Sequence, residues 1–349
     1  MPALDSEIAR LARQATNPAL PSGLQEKLKE DLDQLKLNLQ NPDSFWPLYQ
    51  RLSRYFNWIQ ALPWDQESED NLDLVQAQKI LNEHHYGLDE VKQRILEYLS
   101  VLILQKKNQP DQKIRAPILL FVGLVGTGKT TMAKAIAEVM GRPLIRIPFG
   151  GLGDPTYLRG QSRLHPESEP GKIIKGLIDV KVKNPVILLD EIDRIADSAL
   201  NAVMGVLVEL LDPEQNQSFL DNYLDYPFDL SQAFFVATCN NTTRIATAVL
   251  DRLEPVQMPS YNDEEKTAIG REYLLPRALQ DSGLSSKDLI ISPDSWTQIV
   301  RPLGFDAGVR TLKRNIEGLC RKAAMLLVQG KVSKVVIDTS NLKHFIPRW

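Results

Sequence analysis

The stretch "PILLFVGLVGTGKTTMAKAIAEVMG", residues 117–141, carries three structural signals in succession. Pro117 to Val122 is a short apolar run that suits a buried parallel strand. Met132, Ile136, Val139 and Met140 then recur at helical spacing until Gly141 ends the pattern. Between them, "GLVGTGKT" fills G-x-x-x-x-G-K-[ST] through Gly123, Gly128, Lys129 and Thr130, in the strand-loop-helix setting that the motif requires. Glycines let backbone N–H groups close around a phosphate chain, and the helix N-terminus adds its positive dipole end. Lys129 can reach β/γ-phosphates, and the Thr130 hydroxyl can ligate Mg²⁺. The expected nucleotide contacts of this loop are Gly123, Val125, Gly126, Thr127, Gly128, Lys129, Thr130 and Thr131, with ATP and Mg²⁺ as the ligands.

Outward from the loop, a second constellation appears in "PVILLDEIDR", where an apolar strand ends in Asp190 and Glu191. In a parallel sheet, those acids stand at the same edge as the phosphate loop. Asp190 is suited to help hold Mg²⁺, and Glu191 to polarise an attacking water. "PILLFV", "PLIRIPF", "PVILLD" and "AFFVATC" are strand-like and alternate with helical stretches over residues 63–259. That alternation predicts an α/β P-loop NTPase domain with a mainly parallel sheet. Residues 1–62 read as a helical segment, in which Leu24, Leu28, Leu32, Leu35 and Leu39 form a stripe that would bury against another helix. Residues 260–349 read as a smaller, mostly helical domain with one late strand, "SKVVID".

Composition narrows the class. The 349 residues are 43% hydrophobic and 24% charged, which is ordinary for a globular protein of two or more domains. A net charge of −3 supplies no overall basic field for nucleic acid. Cys239 and Cys320 are too few and too distant for a disulfide framework or a zinc site, which suits a reducing compartment such as the cytoplasm. No apolar run approaches bilayer length, and the first residues carry no secretory pattern.

Taken together, these strings resemble the ATPase part of the Lon protease, within the AAA+ superfamily. The likeness runs through "YFNWIQALPW", "DNLDL", "HHYGLDEVKQRILEYL", "GLVGTGKT", "VILLDEID", "LLDPEQNQSFLDNYLDYPFDLS", "ATCNN", "VLDRLE" and "DAGVRTLKRNIEGLCRKAA". It covers most of residues 55–327. The resemblance implies several further roles. Asn240 in "TCN" matches sensor 1, an amide that orients the lytic water and contacts the γ-phosphate. Arg252 in "LDRLE" matches the arginine finger, which acts on the nucleotide of a neighbouring subunit. Arg310 in "GVRTL" matches sensor 2. Tyr86 and Gly87 fall in the segment that lines the adenine pocket. A finger acting in trans implies a homo-oligomer, a hexameric ring in this family, that works on a protein client.

Departures from the family pattern are as informative. Lon proteases continue into a Ser-Lys peptidase domain, whereas this sequence stops at "FIPRW", so no intrinsic peptidase is expected and a separate one becomes a candidate partner. Where the family carries an aromatic-aliphatic pair to grip a threaded polypeptide, ungapped alignment puts His165 and Pro166, followed by Glu167 and Glu169. A second gripping loop reads "ALNAV", residues 199–203. Three functions compete: a ring ATPase that remodels or unfolds protein, a nucleotide-regulated scaffold or assembly switch, and a nucleic-acid-dependent loader, which the acidic loop disfavours. A piece of a longer Lon protease is a further alternative.

Overall fold

A computed structural model describes residues 2–71, 73–108, 118–165, 167–301 and 306–346 of the chain. Three helices lead: α1 (Pro2–Ala15), α2 (Ser22–Leu37) and α3 (Pro42–Ala61). The leucine stripe of α2 is buried at Leu24, Leu28, Leu32 and Leu35, in one core with Leu11, Phe45, Tyr55 and Phe56 of its neighbours. Leu39 does not belong to it. Asn38 closes the helix by donating its backbone N–H to the carbonyls of Leu35 and Lys36, so Leu39 falls in the following turn and is 39% exposed.

Two more helices, α4 (Leu74–His84) and α5 (Asp89–Asn108), precede a parallel sheet of β1 (Ile118–Val122), β2 (Leu144–Pro148), β3 (Val186–Asp190), β4 (Phe234–Cys239) and β5 (Leu253–Gln257). The spatial order is β2-β3-β4-β1-β5, and every pairing is parallel. Every residue of β1, β3 and β4 is buried, which is why these strands read as unbroken apolar runs. Strand periodicity divides the sheet between two cores. Leu120, Ile147, Ile187 and Leu189 join the core shared with the three N-terminal helices. Leu119, Phe121, Leu188 and Val236 pack with α4, α5 and the helix that follows the phosphate loop, α6 (Lys129–Met140). Gly141 stops α6 in the left-handed conformation, φ 68°. Residue 117, where the sequence reading began β1, lies outside the described residues.

The chain then enters a smaller unit with its own core of Trp296, Ile299, Leu312, Ile316, Leu319 and Cys320. Asn262 and Glu265 form a capping box at its first helix, Asp263–Ile269. Its long helix, Arg310–Val328, carries much of the core. The late strand, β7 (Val335–Ile337), pairs in parallel with β6 (Leu289–Ile291). The latter escaped the sequence reading because three residues are too few to display an alternation. Residues 200–203, expected as part of a loop, are instead the first turn of a helix, Leu200–Leu211. Ala199 and Val203 are buried there, so apolar packing draws the segment into regular structure. No described helix is long and apolar enough to cross a membrane.

Candidate nucleotide site

The carboxyl ends of β1, β3 and β4 converge because the three strands are adjacent and parallel. Gly123 enters the loop with its N–H donated to Cys239 O, and a Cβ there would lie 2.7 Å from Met258 O, so only glycine fits. Gly128 has φ 101° in the left-handed region, from which α6 starts with its N–H groups facing the loop. Lys129 is buried and donates to Gly123 O (2.6 Å), Leu124 O (3.0 Å) and Asn240 Oδ1 (3.1 Å). Burial holds its ammonium below the ordinary lysine range, while Cys239 and the nearby acids Asp193, Glu191 and Asp190 act in the opposite direction.

Asp190 is gripped from three sides. Thr130 donates its hydroxyl to Oδ1 at 3.2 Å, Thr238 donates to the same oxygen at 2.7 Å, and Arg146 reaches Oδ2 from Nε at 2.8 Å. Thr238 also accepts the Glu191 N–H at 2.9 Å, which fixes Glu191 as it leaves β3 with φ 59°. Because of that turn, the Glu191 carboxylate leaves the Asp190 cluster and lies against the Gly150 backbone, 3.2 Å from where a Cβ would be. Asp193 receives the N–H groups of Asn240 (3.0 Å) and Asn241 (3.4 Å) on Oδ2, while its Oδ1 is buried without a partner. It thereby sets the turn that presents the Asn240 amide to Lys129.

The donor set suits Mg²⁺: a hydroxyl and a carboxylate, both hard oxygen donors, at the mouth of a phosphate loop. Among the described residues, no three His, Cys, Asp or Glu side chains gather into a metal cluster. A magnesium ion held by Thr130 and Asp190 would therefore complete its shell with phosphate and water, as this ion commonly does.

The smaller unit closes over the loop. Val309 donates to Gly126 O at 3.0 Å, and the Gly308 backbone packs so tightly on Gly126 that a Cβ would sit 2.4 Å from its carbonyl carbon. Arg310 follows directly, its Cβ 3.3 Å from the Cβ position of Gly126. Tyr261 donates its hydroxyl to Thr127 O at 3.3 Å. Val125 is exposed on the loop, and Thr131 turns its hydroxyl back to Gly128 O.

At the opposite wall, Gly87 (φ 59°) and Leu88 (φ 57°) make a tight link between α4 and α5. Tyr86 is half-exposed and meets Tyr273 of the smaller unit edge-on, with ring centroids 6.4 Å apart. His85, beside them, is buried with its Nε2 unpartnered, and its ring lies 3.4 Å from the Cβ position of Gly128. Burial pushes its pKa down to about 4. Lys92 holds this segment by donating to His85 O and Asn82 Oδ1.

Arg252 is the one predicted site residue that stands far from the rest. Leu253 pairs with Ile118 at the start of β1, whereas the phosphate loop leaves β1 at its other end. Five residues of strand, about 16 Å, separate the two edges. Within its own chain Arg252 bonds Asp212 Oδ2 at 2.8 Å and Ala248 O at 2.6 Å.

The candidate gripping loop projects elsewhere. Its roots are fixed: Gly171 donates to buried Asp221 at 2.7 Å, and Asn222 donates its N–H to Arg159 O (2.7 Å) and its amide to Gly160 O (3.1 Å). Arg163 joins the loop to the N-terminal helices through Asp31 (2.7 Å) and the Tyr55 ring (4.6 Å). His165, Glu167 and Glu169 are exposed, and Pro166 lies outside the described residues. The tip is less uniformly polar than the sequence reading expects, because Leu164 is 78% exposed.

Thr238, Arg146 and Asp193 were not singled out from the sequence. Strand alternation supplies a signal for two of them: Pro148 pairs with Asp190, so Arg146 and Asp190 share a face of the sheet, as does Thr238.

Residues 119–260 match the family model described as "ATPase family associated with various cellular activities (AAA)", and residues 280–336 match "Lon protease AAA+ ATPase lid domain". The chain is 38% identical to Lon protease 2 of Thermus thermophilus, over 98% of this chain and 43% of that protein. It is 40% identical to the Lon protease of Lawsonia intracellularis, over 99% of this chain and 41% of that protein. A similar match, 40% over 98% and 42%, is found with the Lon protease of Dictyoglomus thermophilum. The chain thus spans about two fifths of the length of these relatives.

Proposed function

Because the chain belongs to the Lon family, over its AAA+ ATPase and lid portions, we propose that it binds ATP with Mg²⁺ in the Gly123–Thr131 cleft and hydrolyses it within a ring of identical subunits. The observation that carries this reading is the linked set Lys129–Asn240 and Thr130–Asp190–Thr238 at one edge of the sheet. In this reading residues 63–259 are the nucleotide-binding domain, 260–349 the lid and 1–62 a helical support. Backbone N–H groups from Val125 to Thr131 cradle the phosphates, and Lys129 neutralises them. Tyr86 and Gly87 border the base. Arg310 contacts phosphate from the lid. Thr130 and Asp190 would hold a magnesium ion, which would supply positive charge to the bound phosphates.

Glu191 orients and accepts a proton from the attacking water, and Asn240 contacts the γ-phosphate beside it. Arg252 cannot serve its own cleft, being at the far edge of the sheet, so it completes that of a neighbour. The work done is remodelling or unfolding of a protein client in the cytoplasm, with nucleic acid and membrane not engaged. A peptidase, in the same polypeptide or a separate one, receives the client where degradation follows. The scaffold or assembly-switch reading draws support from the exposed tip, where His165 stands in the position of an aromatic grip.

The deciding test is Glu191→Gln. ATP affinity is retained within about threefold while steady-state turnover falls roughly 10²- to 10⁴-fold. Turnover at the wild-type rate would remove Glu191 from its role.

A further inference from the structure

The carboxylate assigned to magnesium already has a cationic partner. Arg146 lies on β2, an edge strand, on the sheet face that carries Asp190 and Thr238. Its guanidinium places Nε at 2.8 Å and a terminal nitrogen at 2.6 Å from the same oxygen, Asp190 Oδ2. The two ends of this pair differ sharply in environment. The Asp190 side chain is 3% exposed, and the Arg146 side chain 55%. A buried carboxylate requires compensation, whereas a half-exposed guanidinium can leave for water at small cost.

The other cation close by is already engaged, since Lys129 donates to two loop carbonyls and Asn240. The other Asp190 oxygen, Oδ1, is taken by the Thr130 and Thr238 hydroxyls. These are neutral groups that orient the carboxylate without balancing its charge. A dication bound there would bring two further positive charges against the Arg146 guanidinium. Repulsion and competition for Oδ2 both act to expel the arginine.

We propose that Arg146 is a displaceable counter-ion for Asp190: it holds the carboxylate in place and neutralised until magnesium enters with the nucleotide, then swings outward. This rests on the nucleotide-site reading above and deepens it by naming the group against which the metal competes. The ion pair lowers apparent metal affinity by limiting the fraction of molecules whose Asp190 is free. It also couples metal entry to movement of a side chain on the sheet edge.

The experiment uses the full chain loaded with ADP, with Mn²⁺ as the probe and free metal counted by electron paramagnetic resonance. Wild type is compared with Arg146→Gln and Arg146→Lys. Arg146→Gln should bind Mn²⁺ about fivefold more tightly, with Arg146→Lys intermediate. ADP affinity in EDTA should change by less than about twofold. A second readout, on the wild type, does not depend on any variant folding well enough for titration. In protein labelled with ¹⁵N-arginine, the Arg146 Nε–H signal, assigned by its loss in Arg146→Lys, should be slow to exchange with ADP alone and broaden when Mg²⁺ is added.

Unchanged or weaker Mn²⁺ binding in Arg146→Gln, or an Nε–H signal indifferent to Mg²⁺, overturns the proposal. Weaker ADP binding in EDTA overturns it differently, by showing that Arg146 touches phosphate. Failure of wild type to bind ADP at all would instead sink the nucleotide-site reading itself.

Discussion

The nucleotide cleft and the 160–171 loop belong to the same sheet domain, yet polar contacts serve them in different ways. In the cleft, two of the side chains given roles at the phosphates are themselves held: Asp190 by three residues, Lys129 by three oxygens. In the loop, the roots are pinned just as firmly, by Asp221, Asn222 and Arg163, while residues 164, 165 and 167 stand in solvent and the exposed Glu169 side chain pairs with Lys175. The difference teaches where this fold tolerates change. Altering a held side chain strands a buried partner, whereas altering an exposed tip residue changes only what the tip can touch.

The largest effect should come from a residue that belongs to neither region of its own chain. Arg252→Ala is expected to lower turnover roughly 10³- to 10⁵-fold while leaving ATP binding intact. Mixing it with a Lys129→Ala chain should restore part of the activity, because some interfaces then join an intact cleft to an intact finger. Mixed assemblies that show no rescue would return Arg252 to the role its contacts display here, a partner for Asp212.

Acid should separate the two regions by sign. His85, beside the cleft, has its pKa pushed down to about 4 by burial, so the unfolded chain takes up a proton at higher pH than the folded one. Its contribution to stability is complete above about pH 6.5 and is lost as pH falls toward 4. Asp221, at the loop roots, has its pKa pushed up to about 6 by burial, against the pull of three backbone N–H groups. Its contribution is complete below about pH 4 and is lost as pH rises through 6. Each is worth about 3 kcal/mol at its limit. Urea midpoints between pH 4 and 7 should therefore tilt one way in His85→Gln and the other way in Asp221→Asn. Parallel profiles for the two variants would erase this contrast.

A smaller loss is expected from Thr238→Val, which keeps the shape but strands the Glu191 N–H and leaves Asp190 Oδ1 with the Thr130 hydroxyl alone. Stability should fall by about 1–3 kcal/mol, read by chemical denaturation, and turnover should drop with little change in ATP affinity. An unaltered turnover would mean that Glu191 holds its left-handed turn without help. Smallest of all is the tip. His165→Tyr with Pro166→Ile should leave ATPase activity within about twofold and add apolar contacts worth about 1 kcal/mol each. The sensitive readout is ATP-dependent unfolding of a tagged fluorescent protein, weak before the change and stronger after it. Robust unfolding by the unaltered chain would dissolve the distinction between a held cleft and a drifted grip.

What could be read in advance follows the same division. Strands β1, β3 and β4 and helix α6 were legible because a doubly covered sheet demands continuous apolar runs, and a phosphate loop demands glycine at fixed positions. Arg146 and Thr238 were not, since an arginine or threonine on a strand ordinarily marks a wet face, and only register relates them to Asp190. Leu39 leaves the stripe because capping outranks periodicity at a helix end, and residues 200–203 are helical against expectation because alignment with a family loop carries no information about local packing. Pro166 lies outside the described residues, so the grip was legible only as an alignment.

On the proposal that Arg252 completes a neighbour's cleft, its placement at the end of the sheet opposite Lys129 has a consequence for assembly. An association in which one end of a subunit completes the other end of the next is head-to-tail, and its two contacting surfaces are different. Such a contact is not self-complementary in the manner of a two-fold pair; it repeats, and closes only if the rotation per step divides the circle. An open run of subunits always has one fewer completed cleft than it has subunits, and closure fills the last. Specific activity per subunit should then climb with protein concentration and level off at closure. The number of subunits at that plateau is a property of the angle between neighbours, which no single chain contains.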